Sequence, residues 1–191
     1  MNIIEKVRDI LFHPGKFFSA VDKEKGLGKA FRFFFILSLI SAVLSVIISS
    51  FWSRAYTWFL PFPIPKLGLI PLIQTSLINY ALLLGASFLI AWFLFIWLRV
   101  FRGRRTYSDA YKLYAYSVTP KLVFGWIPIV NLFVWIYSLV LIIIGTNKMY
   151  KFSNLKATLI YIVPWAVILL LVVIVALLVM TILLGTGVET F

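Results

Sequence analysis

The sequence predicts an all-α, polytopic membrane protein: a five-helix transmembrane bundle preceded by a short interfacial amphipathic helix. Three observations carry that reading. Hydrophobic residues make up 63% of the 191-residue chain, well above the roughly half-apolar composition of soluble domains. They fall in long runs, and a helix needs about 20 apolar residues to cross a hydrocarbon core about 30 Å thick. Lys and Arg outnumber Asp and Glu by 18 to 6 and concentrate between the runs. No polar stretch is long enough for a second domain, so the chain reads as one membrane domain over 30–185, with a cytoplasmic or interfacial segment at 1–29 and an external tail at 186–191.

In chain order, Ile3, Ile4, Val7, Ile10 and Leu11 recur at helical spacing, with Glu5, Lys6, Arg8 and Asp9 on the other face. This predicts a helix lying in the membrane interface, or one packed on the cytoplasmic ends of the bundle. Pro14 can open a second short helix through Phe17, Phe18 and Val21, because proline suits a first helical turn. The first apolar run is too long for a secretory signal and lacks a small-residue cleavage site, so it is expected to be retained.

The first span is expected at 30–51. It is followed by Trp52, Arg54, Tyr56 and Trp58 and a proline-rich stretch at 61–65, read as an aromatic belt and a loop. The second span, 69–98, ends at Arg99, Arg102, Arg104 and Arg105. Residues 112–144 are apolar again but interrupted by Pro120, Gly125 and Pro128. They predict two short spans, 112–126 and 128–145, joined by a tight turn near 126–131. The last span, 158–184, carries Pro164 in its first turns, where it can kink the helix.

Five spans put the basic N-terminal segment, the loop from Arg99 to Lys112, and the loop holding Lys148, Lys151 and Lys156 on one side. The positive-inside rule makes that side cytoplasmic. The expected location is the cell membrane, multi-pass, with the N-terminus cytoplasmic and the C-terminus outside.

The pattern His13-Pro14-Gly15-Lys16-Phe17-Phe18 resembles the start of a Yip1 domain. So does the run Tyr107-Ser108-Asp109-Ala110-Tyr111 through Tyr116-Ser117-Val118-Thr119-Pro120. Trp126-Ile127-Pro128, Trp135, Tyr137, Gly145 and Lys156-Ala157 continue the likeness over nearly the whole chain. Within it, Pro14, Phe18, Tyr116, Pro120 and Pro128 are the candidate structural motif. The resemblance implies five transmembrane helices, a cytoplasmic N-terminus and an external C-terminus. Eukaryotic members act in vesicle trafficking and contact Rab-type GTPases. The long N-terminal region through which several of them are thought to work is almost missing here, which argues against a GTPase partner and likens the chain to the short prokaryotic members.

Residue types exclude much chemistry. Cysteine is absent and His13 is the single histidine, so neither a His-containing catalytic triad within the membrane nor an HExxH metal site can be assembled. The acids are Glu5, Asp9, Asp22, Glu24, Asp109 and Glu189, none well inside an expected span. An ion-coupled transporter would lack its usual relay carboxylate. No enzymatic activity, cofactor or nucleic-acid partner is expected.

The candidate contact residues are therefore few. Lys121 is the one charge within an expected span. It stands about 9 Å of helix from the turn at Ile127, so its stem can snorkel to the outer interface, with a lipid-phosphate or ligand contact as the functional alternative. Arg99, Arg102, Arg104 and Arg105 can bind anionic headgroups at about 1 kcal/mol per residue, although topology alone also places basic residues there. Gln74, Asn79 and Asn131 are weaker candidates, and amides in spans usually bond between helices. The small-residue series Ser41, Ser45 and Ser49, and the pairs Ala81 with Gly85 and Ser87 with Ala91, predict packing seams. The expected partners are membrane lipids, anionic headgroups among them, and a second copy of the chain or another membrane protein. A non-enzymatic membrane scaffold fits better than the alternative, a small transporter or channel with a polar path near Lys121.

Overall fold

The computed structural model describes residues 2–59 and 68–186. The proline-rich stretch at 61–65 and the tail beyond Thr186 lie outside the described residues. Within these limits the fold consists of eight helices and no strand: α1 (Ile3–Phe12), α2 (Pro14–Val21), α3 (Gly28–Phe59), α4 (Leu69–Val100), α5 (Tyr107–Ser117), α6 (Thr119–Phe124), α7 (Pro128–Tyr150) and α8 (Asn154–Thr186). Four are long and apolar enough to cross a membrane, over Gly28–Ile48, Ile70–Val100, Phe133–Tyr150 and Asn154–Thr181.

Local sequence explains the ends of the short helices. Asn2 and Glu5 form a reciprocal capping box at the start of α1, and Thr106 and Asp109 form another at the start of α5, each satisfying backbone N–H groups that the first turn leaves unpaired. Pro14, Pro120 and Pro128 stand in the first turns of α2, α6 and α7, where the missing N–H costs nothing.

The expected span at 112–126 takes a different form. Helix α5 begins five residues earlier, at Tyr107, and the chain breaks at Val118 before resuming as α6. Neither piece has the length and hydropathy of a free-standing span, and the polarity of α5 has a packing reason. Every residue of α5 from Asp109 to Ser117 is buried, against α3, α4 and α7. Neighbouring helices, not solvent or lipid, surround it. Lys112, read from sequence as part of the cytoplasmic loop, is thereby enclosed at 2% exposure.

Residues Met1–Phe152 form one compact unit, and its core is aromatic. Tyr111 packs against Phe31 and Phe88, Tyr114 against Phe34, and Tyr116 against Phe17 and Phe33. Ser87 and Ala91 are buried on α4, and the Ser87 and Tyr111 hydroxyls lie 3.3 Å apart. That pair packs as the small-residue reading expects, whereas Ala81 and Gly85 stay exposed. Helix α7 runs antiparallel to α5 and α6. Its Gly145 meets Leu113 near one end, while its Trp135 meets Lys121 near the other.

Residues Ser153–Phe191 form the second unit. Its helix α8 starts behind Ser153, whose hydroxyl accepts from the Lys156 N–H at 3.3 Å, and it continues through Pro164. Thr181 returns its hydroxyl to the Leu178 carbonyl, so this polar side chain is satisfied within its own helix.

Candidate functional site

The polar residues of the first unit converge where the N-terminal helices meet α5. Glu24, in the turn between α2 and α3, accepts from the Tyr116 hydroxyl at 3.2 Å and from Lys6 Nζ at 3.5 Å. Lys6 also reaches the same hydroxyl at 3.3 Å. The Glu24 backbone carbonyl accepts from Lys112 Nζ at 2.8 Å, and Lys112 pairs with Asp109 at 2.7 Å one turn back on α5. Asp109 in turn accepts from the Thr106 N–H and hydroxyl. Burial raises the Asp109 carboxyl, but hydrogen bonds from Lys112 and Thr106 outweigh it and hold the group below the ordinary aspartate range.

This network fastens residues 6 and 24 to residues 109–116 across most of the unit's sequence length. The bond from the Tyr137 hydroxyl to the Leu11 carbonyl adds a tie to α7. Apolar contacts do the same work alongside: Phe18 is fully buried, and its ring approaches Gly145 so closely that a Cβ there would stand 2.9 Å from Cε1 and 2.4 Å from Leu113 Cδ1. Only glycine fits that crossing. Of the candidate motif residues, the structure thus places Phe18 and Tyr116 at the joint between N-terminal segment and bundle, and Pro14, Pro120 and Pro128 at helix starts.

The structure divides the arginine cluster. Helix α4 closes in a Schellman motif, with Gly103 N–H bonding the Leu98 carbonyl at 2.9 Å and Arg102 N–H bonding Arg99 at 3.0 Å. Arg102 occupies the left-handed position at φ 65°, where glycine is usual. A Cβ on Gly103 would stand 2.8 Å from the Leu98 carbonyl and 2.9 Å from the Tyr150 ring. Arg105 is committed to Asp22 at 2.7 Å, and Arg99 lies over the Phe95 ring at 5.0 Å. Arg102 and Arg104 stay exposed beside a cavity of about 580 Å3 that all four arginines line.

Lys121 stands apart from both groups, with its ammonium 4.0 Å from the centroid of the Trp135 ring. Gln74 and Asn79 are both exposed on α4. Of the residues in this joint, Tyr116 stands out in the sequence, whereas Lys6, Glu24, Asp109 and Lys112 carry no sign there of a shared site. The Thr106-x-x-Asp109 capping box was the one local signal that α5 begins ahead of Lys112.

Four helices fit to cross a bilayer, in a chain with charged groups gathered at helix ends and in the joint, define a multi-pass membrane protein. The family model for the Yip1 domain matches residues 8–185, nearly the whole chain, and the chain belongs to the Yip1 domain family. No curated protein and no solved structure matches it.

Proposed function

We propose that this Yip1-family protein is a non-enzymatic membrane scaffold or adaptor, presenting a fixed cytoplasmic face to partner proteins and anionic lipids. The observation that carries the reading is the joint around Glu24 and Tyr116. Its ionisable groups are spent on one another, which suits a rigid platform rather than a reacting or conducting centre. The four stretches fit to cross a membrane carry charge only near their ends, at Lys29, Arg32, Arg99, Lys148 and Lys156, and Lys121 is engaged by an aromatic ring.

The proposed topology has five passes, with 112–126 as the third, the N-terminus cytoplasmic and the C-terminus outside, in the cell membrane. The antiparallel pairing of α7 with α5 and α6 supports it. So does the position of the α7 C-terminus: Tyr150 lies at Gly103, and Lys148 lies beside Gly15 of α2. The three basic segments of the first unit therefore meet at one end, as the positive-inside rule requires of a single cytoplasmic face. A third pass of 15 residues is about 22 Å long at 1.5 Å per residue, short of a core about 30 Å thick. Such a pass favours local thinning of the bilayer.

Reconstitution into sealed vesicles tests the scaffold reading against a transporter. Neither the parent nor Lys121→Met should pass ions or small solutes faster than protein-free vesicles. A robust flux through the parent that Lys121→Met abolishes would overturn the proposal.

A further inference from the structure

A groove of about 850 Å3 opens between α1, α2 and the first turns of α3. Its basic side chains are Lys6, Lys16, Lys29 and Arg32, and its acids are Asp9 and Glu24. Lys6 and Glu24 are already paired with each other, and Asp9 lies 3.7 Å from Arg8, which is not part of the lining. Lys16, Lys29 and Arg32 are exposed and form no ion pair among the described residues. The groove thus holds three cations without a counter-charge.

Its far wall is apolar in an ordered way. Lys29, Arg32, Phe33 and Ile36 follow the spacing of one helix face, and they belong to the stretch Gly28–Ile48 that is fit to enter a bilayer. At 1.5 Å per residue, Ile36 lies about 10 Å deeper than Lys29. With α3 entering the bilayer along its axis, the cations would stand at headgroup depth and the apolar residues at the depth of the first acyl carbons. A soluble phosphate ester would satisfy the upper half of the groove and leave the lower half unused. An amphiphile with an anionic head uses both.

We propose that this groove binds an anionic phospholipid, its phosphate held by Lys29 and Arg32 with Lys16 opposite, and an acyl chain lying along Ile36, past the edge of the largely buried Phe33. The site is separate from the arginine cluster at Arg102 and Arg104, and it does not depend on the scaffold reading.

Native mass spectrometry of the full chain in mild detergent, with palmitoyl-oleoyl phosphatidylglycerol or phosphatidylcholine added at equal concentration, tests it. The parent should retain one phosphatidylglycerol in preference to phosphatidylcholine. A basic residue at an anionic surface is worth about fivefold in affinity, so Lys29→Gln with Arg32→Gln should weaken retention about 25-fold. Both side chains are exposed and unpaired, so this variant should melt with the parent. Ile36→Ser, which alters no charge, should weaken retention severalfold, and Lys23→Gln with Lys25→Gln, exposed lysines outside the groove lining, should leave it unchanged. The proposal is overturned by equal retention of the two lipids, by equal loss in the groove and Lys23/Lys25 variants, or by release of the lipid on adding glycerol 3-phosphate. The last result would assign the groove to a soluble phosphate ester.

Discussion

Asp109 and Lys112 show what a buried charge demands of its surroundings. Lys112 is 2% exposed, and removing one partner of a buried pair costs about 3–5 kcal/mol because the other charge is left uncompensated. Lys112 would still hold the Glu24 carbonyl. Asp109→Asn should therefore destabilise the protein by about 3 kcal/mol, at the low end of that range, and adding Lys112→Met should recover most of the loss. Thermal melting in detergent checks both, and a double variant no more stable than the single one would contradict the pairing. The depressed carboxyl also fixes the sign of the acid response. Its stabilisation is complete above the ordinary aspartate value of 3.8 and fades as pH falls through the lower folded value. Asp109→Asn should remove that part of the acid transition. At Lys121 two small effects oppose each other. A cation over a tryptophan is worth about 0.5–2 kcal/mol, whereas a lysine at membrane depth costs up to about 3 kcal/mol and less near the interface. Lys121→Met should melt within about 1 kcal/mol of the parent, and a larger loss would show that the ring contact outweighs the burial cost. The sequence showed Lys121 as an isolated charge but gave no sign of Trp135 as its partner, 14 positions away on another helix.

The helices themselves were largely legible. The 3.6-residue period marked α1, the prolines marked the starts of α2 and α7, and apolar length marked α3, α4 and α8. What hydropathy could not reveal was the start of α5 ahead of Lys112. A helix shielded on all sides by neighbours can be polar, so its composition resembles a loop, and Lys112 reads as a loop residue until its partners Asp109 and Glu24 are known. Gly145 is the clearest element-scale test, because α2, α5 and α7 meet there. A methyl group at that position collides with two fully buried side chains, Leu113 and Phe18. Overpacking of this kind costs about 1–3 kcal/mol. Gly145→Ala should lower the melting temperature and raise protease sensitivity of the segment before Gly28, as α2 loses its seat. Unchanged melting and proteolysis would mean that the helices part without cost. By contrast, Gly85 has open space around it, so Gly85→Ala should be tolerated and even favourable by up to about 1 kcal/mol through helix propensity.

At the scale of the whole molecule, charge and topology are one problem. The basic segments and their expected placement on one side were legible from span count and the positive-inside rule, but the packing of α7 back along α5 and α6 that brings them together was not. The central claim is that 112–126 crosses the membrane, because that pass decides on which side Lys151 lies. The chain has no cysteine, so single cysteines can report sidedness without background. Arg104 is an exposed site in the α4–α5 loop, whereas Gly103 beside it has no room for a side chain. Cysteines at Lys25, Arg104 and Lys151 should react with an impermeant maleimide only from the cytoplasmic side, and those at Gly68 and Ile127 only from outside. Labelling of Lys151→Cys from outside, with Arg104→Cys still reacting from the cytoplasm, would show that 112–126 does not cross and would contradict the five-pass account.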